Sequence, residues 1–544
     1  MKTALALLLL IVGSFMADAA TITWINTNGG NWSVTANWSP PQIPLGGDIA
    51  VITNTGNYTV TLDTSPIAVN LILGGASGTQ TLTSAGSTMA LTGVVNTNGV
   101  LAMGGGSLTS EGLIINGRFN WTGGSIDVGS TLTVATNGTL TLAGDNGTDY
   151  AFLGILTNAG TVRLVSGNLF LRGAFCNVNA VGELINLPGA LLDLRNDVNI
   201  DTCGGVELLV NQGTVRKSGG TGTSTINPLL NNSGLVDAQT GTISINGDDT
   251  AGSTGVFQSE AGATVAFVNN FTAYSGVQFT GVGTNSITGG TFTLDGLVTI
   301  SNLTLAASGT LAGTNGIIAG ALTWTSGFIG VGSTLTVATN GTLALAGDNG
   351  TDYPLLGILT NAGTVKLVSG NLFLRGAICN AGAIGELVNL PGALLDLKTN
   401  VNIDSCGGTE LLVNQGTLRK SGGTGTSTIS PMLNNSGLVD AQTGTVSING
   451  GGNDVGIFQA DGGATLMLSG GTSTLASPIQ FTGAGTNLIT GGTLTLSGSL
   501  TPPKPLLVTG GTLALNGLVT ISNLTLVGSA TLAGTNGIIA GALT

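Results

Sequence analysis

Three aspartates spaced four residues apart, Asp193, Asp197 and Asp201, stand in the run LLDLRNDVNID with Arg195 among them. In an extended run, side chains four apart lie on one face, and carboxylates sharing a face are the machinery of glycoside hydrolysis. The equivalent positions 203 residues later are Asp396, Asn400 and Asp404, so the middle carboxylate is lost there. A solvated face explains the row better than catalysis does. A second acidic group is the turn AGDNGTDY, which places Asp145, Asn146 and Asp149 together and recurs as Asp348, Asn349 and Asp352. Hard oxygen ligands at such spacing suit calcium. Asp-Asn-Gly is equally a plain turn signal, and the spacing follows neither the EF-hand nor the glycine-rich calcium repeat. No cofactor or metal is expected.

The chain has no His, which removes the Ser-His-Asp triads and imidazole acid–base pairs. With no His and no Cys-x-x-Cys step, zinc lacks a ligand set. The four cysteines form two equivalent pairs, Cys176 with Cys203 and Cys379 with Cys406. In an oxidising compartment a bridge within each pair would stabilise by about 3 kcal/mol on the loop-entropy model; buried free thiols are the alternative. The segment SGGTGTST from Ser218 lacks the Lys-Ser/Thr ending of a phosphate loop and lies between β runs, so it reads as a flexible corner. The expectation is a protein without enzymatic activity.

The elements that must position these residues follow from repetition. Trp121 and Trp324, Cys176 and Cys379, and Cys203 and Cys406 share an offset of 203 residues. Further on, the run at Leu294 recurs at Leu515, an offset of 221, because one residue is lost near Gly450 and a block of 19, Thr490 to Val508, is added. A chain that accepts one extra block without disturbing its flanks behaves as a stack of coils, each touching only its neighbours. The blocks carry period-2 runs such as STLTVAT, GTLTLAG and GTISING, bounded by Gly, Asn or Asp. Charged residues are 7%, aromatics 4%, and no helical period is sustained. The predicted fold is all-β, a right-handed parallel β-solenoid (β-helix) of roughly 20-residue coils and about 26 coils in all, with almost no helix outside a signal peptide. The Asn-x-Gly steps at Asn211 and Asn232 are predicted to be left-handed corners.

A net charge of −13 with only 13 basic residues leaves no concentrated basic face, so no nucleic-acid partner is expected. Residues 1–20 have a basic Lys2, an apolar core and small residues before a cut after Ala19 or Ala20, the pattern of a signal peptide. The mature chain has no apolar run of about 18 residues and hence no expected transmembrane span. The expected organisation is signal peptide 1–20, a Trp-rich cap with the first coils 21–93, copy 1 of the repeat 94–323, and copy 2 324–544. The terminal LAGTNGIIAGALT matches Leu311 to Thr323, after which Trp324 opens a copy. A third copy is therefore expected beyond Thr544, or else a covered end or end-to-end self-association.

Three of the five Trp, Trp24, Trp32 and Trp38, fall between Thr21 and Val51. Buried, they would cap the open end of a stack; exposed, they would offer a platform to a sugar ring. The cap is favoured. Their segment, with Trp24, Gly30, Asn31, Trp32, Asn37, Trp38, Pro44 and Asp48 as matching residues, resembles bacterial exported surface proteins with autotransporter-associated or haemagglutinin-like β-strand repeats. The repeats LTNAGTV at Leu156, LVNQGTV at Leu209, LNNSGLV at Leu230 and RKSGGTGTSTI at Arg216 are similar to that class. The resemblance implies a parallel β-solenoid at the cell surface with an adhesin-like or extracellular-matrix role and a glycan or protein ligand it does not name. The alternatives are a polysaccharide-active β-helix enzyme and a carbohydrate-binding module. Ice binding would need Thr-x-Thr pairs stacked in register, whereas here they scatter among Asn-Gly corners.

Overall fold

The computed structural model describes residues 19–247, 252–477, 479–500, 505–516, 519–535 and 537–544; the expected signal peptide lies outside them but for its last two residues. Among the described residues the only helical element is the 3₁₀ turn Thr35–Asn37. The regular structure is otherwise short strands stacked in parallel, about 23 turns of β-solenoid. The residues group into two compact units, one ending at Glu183 and one beginning at Leu184.

In the first unit the coils are aligned residue on residue. Ile52 pairs with Leu73, Leu73 with Val95, Val95 with Ile115 and Ile115 with Val134, and all five are fully buried. Alternation produces this column: a strand turns every second side chain inward, so an apolar residue at each inward position falls on the one before it. The first strand, Thr21–Trp24, is also met by an antiparallel strand, Trp38–Ser39, that brings Trp38 opposite Trp24. The Trp38 ring lies edge-on to Trp24 at 5.0 Å and to Trp32 at 4.7 Å, and its indole N–H donates to the Trp32 carbonyl at 2.8 Å. All three indoles are buried, so none presents a face to a sugar.

The second unit is built in the same way. One inward column runs from Leu305 through Trp324, Leu345, Leu367 and Leu397 to Lys420, Ala441 and Ala460. A parallel column, opening at Val337, is made of carboxamides: Asn361, Asn389, Asn414 and Asn435, followed by Asp454. Each of the first three donates Nδ2–H to the Oδ1 of the next, at 2.8, 2.8 and 2.7 Å. The sequence separations along this column, 28, 25, 21 and 19 residues, show that coil length is not constant. Leu367 to Leu397 takes 30 residues because that coil carries a loop between the strands Asn371–Leu374 and Glu386–Asn389. Such long coils bring the number of turns below the 26 that a uniform 20-residue coil implies.

The Asn-x-Gly steps differ from their expected geometry. Gly213, Gly234, Gly416 and Gly437 do not have positive φ, and the Asn of each step is a buried ladder residue. The glycine is needed for close approach: a Cβ on Gly416 would lie 2.4 Å from the Leu390 carbonyl oxygen, and one on Gly437 2.1 Å from that of Gly416. Coil-on-coil spacing, and not a left-handed corner, selects the residue.

Candidate functional site

The acidic row is not brought together. Asp193 ends in the strand Leu191–Leu194 and Asp201 in Ile200–Thr202, with Asp197 in the corner between them. Because the chain turns there, the shared face expected of one extended run does not form, and each carboxylate has its own partner. Asp193 accepts from Arg195 Nε at 2.8 Å and Ser218 Oγ at 2.6 Å, Asp197 from Lys217 Nζ at 2.7 Å, and Asp201 from Asn227 Nδ2 at 2.8 Å. In copy 2, Asp396 is held by Lys398 at 3.0 Å.

The segment after Lys217 is packed around that residue. The Lys217 side chain is fully buried, directed into a column that Leu194 and Ala238 occupy on either side. Its ammonium donates to the Asn196 carbonyl at 2.9 Å, to Asp197 and to Ser224 Oγ at 3.1 Å, while Gly222 N–H also reaches Asp197 at 2.9 Å. Lys217 holds the Asp197 carboxyl below the usual carboxylate range. In copy 2 the same cradle is built without a carboxylate. Lys420 Nζ donates to the Thr399 carbonyl at 2.8 Å, Asn400 Oδ1 at 3.2 Å, the Gly422 carbonyl at 2.9 Å and Ser427 Oγ at 3.1 Å. Burial lowers the Lys420 pKa.

Around this cradle several turns of copy 2 meet at a polar cleft of about 480 Å³, lined by Asn349, Asn371, Thr399, Asn400 and Asn402 with Gly350 and Gly370. The DNG turn is fixed from beneath. Tyr353, packed edge-on to Trp324 at 5.4 Å, accepts the Gly347 N–H on its hydroxyl, and Ser369 Oγ donates to the Gly347 carbonyl. The carboxamides are fixed through their oxygens. Asn371 Oδ1 accepts Asn402 N–H at 2.9 Å, Asn402 Oδ1 accepts Thr428 N–H at 2.9 Å, and Asn400 Oδ1 accepts Gly425 N–H at 2.9 Å besides Lys420. Thr399 Oγ1 donates to the Val368 carbonyl at 3.0 Å.

Beside the cleft, strand register aligns outward side chains of successive coils. Asp352 pairs with Asn371, Pro354 with Phe373, and Phe373 with Asp404. The Arg375 guanidinium stands 4.6 Å from the Phe373 ring centre. Burial pushes the Asp404 carboxyl above its usual range, and the charge of Asp352 pushes it the same way, against a hydrogen bond from Ser430. Asp352 of the turn and Asp404 of the row were separate candidates in the sequence; coil register, which no local motif announces, sets them two coils apart, on either side of the strand Asn371–Leu374. Among the described residues no group of three or more His, Cys, Asp or Glu is placed to hold a metal ion.

The long loop of copy 2 is tied down by the Cys379–Cys406 disulfide, with Cα atoms 6.1 Å apart. It is further held by Glu410, whose Oε1 accepts Gly376 N–H at 3.0 Å and whose Oε2 accepts Gly408 N–H at 2.7 Å. No cysteine among the described residues is free, Cys176 and Cys203 included. No family model matches this chain, and no curated protein or solved structure is similar to it.

Proposed function

We propose that this chain is an exported, non-catalytic β-solenoid with an adhesin-like or extracellular-matrix role at a bacterial surface, taking a glycan or protein ligand on its turns. The observation that carries this reading is the cleft at Asn371, Asn400 and Asn402, where polar side chains are fixed by backbone hydrogen bonds instead of being left to solvent. Such sites are individually weak, and repetition on one chain raises their combined affinity for an extended ligand. The test is binding of the labelled chain to intact bacterial cells before and after periodate oxidation of surface sugars. Saturable binding that periodate removes is expected; absence of saturable binding would end the proposal.

A polysaccharide-active enzyme is the second reading, favoured by one observation. A carboxyl raised by burial and by the charge of a second carboxylate, as Asp404 is by Asp352 two coils away, is how glycosidases separate an acid from a base. Incubation with polysaccharides followed by assay of reducing ends and unsaturated sugars discriminates the two. No product is expected from the wild type; product that disappears in Asp404→Asn would replace the binding reading with the enzymatic one.

A further inference from the structure

We infer that the cleft at the turns of copy 2 binds a neutral oligosaccharide through the Nδ2 donors of Asn371, Asn400 and Asn402. This inference rests on the surface-binding reading above and names its ligand class. The volume of about 480 Å³ lies within the range of small-ligand pockets. In all three residues the carboxamide oxygen is occupied by a backbone N–H of a neighbouring turn, which fixes the amide plane. The two N–H bonds of each Nδ2 remain, and among the described residues none of the three groups donates to the protein. Thr399 spends its proton on the Val368 carbonyl and so offers the cleft an acceptor. A lining of fixed amide donors with one hydroxyl acceptor matches a ligand dense in hydroxyl groups. The lining itself holds no cation: Lys420 is enclosed behind Asn400 with its ammonium committed to protein oxygens, and Arg375 lies over Phe373 outside the cleft; Asp352 and Asp404 stand on the neighbouring strands and the chain as a whole carries −13. An anionic sugar would be repelled.

The test uses the full chain in isothermal titration against cellohexaose, maltohexaose and mannohexaose, with hexagalacturonate as the anionic counterpart. Asn371→Asp and Asn402→Asp retain the oxygen that accepts the backbone N–H and replace the donor by an acceptor. They are expected to weaken binding of the preferred neutral probe about ten-fold or more, equivalent to roughly 1.4 kcal/mol, with unchanged circular dichroism. Asn400→Asp separates recognition from folding, since Asp already occupies the matching position, Asp197, beside Lys217. It is expected to raise the thermal midpoint while lowering affinity, whereas a purely structural residue would move the midpoint alone. Failure of all three neutral probes to bind, preference for hexagalacturonate, or unchanged affinity in the Asp variants would overturn the inference. Periodate-sensitive cell binding that survives in Asn371→Asp would leave the surface-binding reading standing and reject this site; loss of cell binding already in the wild type would reject both.

Discussion

Lys217 and Lys420 show how one residue is accommodated where neither column nor composition favours it. A buried ammonium needs its protons satisfied, and each lysine is met from two sides, by the corner of the preceding coil (Asn196 and Asp197, or Thr399 and Asn400) and by the segment that follows it (Ser224, or Gly422 and Ser427). The copies differ at one partner, Asp197 against Asn400. Lys420→Met would leave two carbonyls, an amide oxygen and a hydroxyl facing an apolar side chain; we expect a loss of about 2–4 kcal/mol in denaturant unfolding. Asn400→Asp should add about 1 kcal/mol at pH 7, a modest figure because position 400 is exposed. The pH dependence has a definite sign. With its folded pKa lowered, Lys420 is deprotonated in the folded chain before the unfolded one, so between the lowered value and 10.5 the unfolded state holds more protons and stability rises with pH. Asn400→Asp should shrink that rise. None of this was legible in the run RKSGG, which reads as a charged corner: burial of a lysine depends on what the next coil places over it.

At the scale of the element, the carboxamide column links sequence, packing and pH response. Asp454 closes the column, fully covered, accepting Asn435 N–H at 3.1 Å. Burial pushes its carboxyl up to about 7. A folded pKa above the unfolded one means that the stability tied to the protonated form is complete below about pH 4 and is lost as pH rises through 7. The span is at most about 4 kcal/mol. In copy 1 the corresponding column position is Ser253, whose hydroxyl accepts Asn232 N–H at 3.1 Å. Asp454→Ser is therefore expected to flatten the stability profile between pH 5 and 8, which urea unfolding at a series of pH values would measure. An unchanged slope would place the titration elsewhere. The strands themselves were readable from alternation, since Leu, Val and Ile at every second position mark the inward face. The ladder was not: Asn-x-Gly has the composition of a turn, and only stacking shows that its Asn points inward and its Gly makes room for the neighbouring coil.

At the scale of the molecule, repetition made the solenoid legible, whereas the site depends on register between coils. Asp352 and Asp404 are 52 residues apart in sequence yet lie only two coils apart, on either side of the strand Asn371–Leu374; coils of 18 to 31 residues defeat any fixed period. The stacked organisation also predicts how the chain unfolds. Coils that touch only their neighbours couple locally, and the described residues form two compact units. Guanidinium unfolding followed by intrinsic fluorescence and by circular dichroism should give non-coincident transitions, with an m-value below that of a single cooperative domain of 544 residues. One sharp, coincident transition would contradict this.

The ladder has a direction. Asn361 donates to Asn389, Asn389 to Asn414, and Asn414 to Asn435, so each finished coil carries on its leading side the proton donor that the following coil will accept. A chain emerging N-terminus first would meet, at every step, a surface already prepared for its next 20 or so residues. Assembly of the stack is then a matter of timing as much as of stability, with each coil serving as the template for its successor.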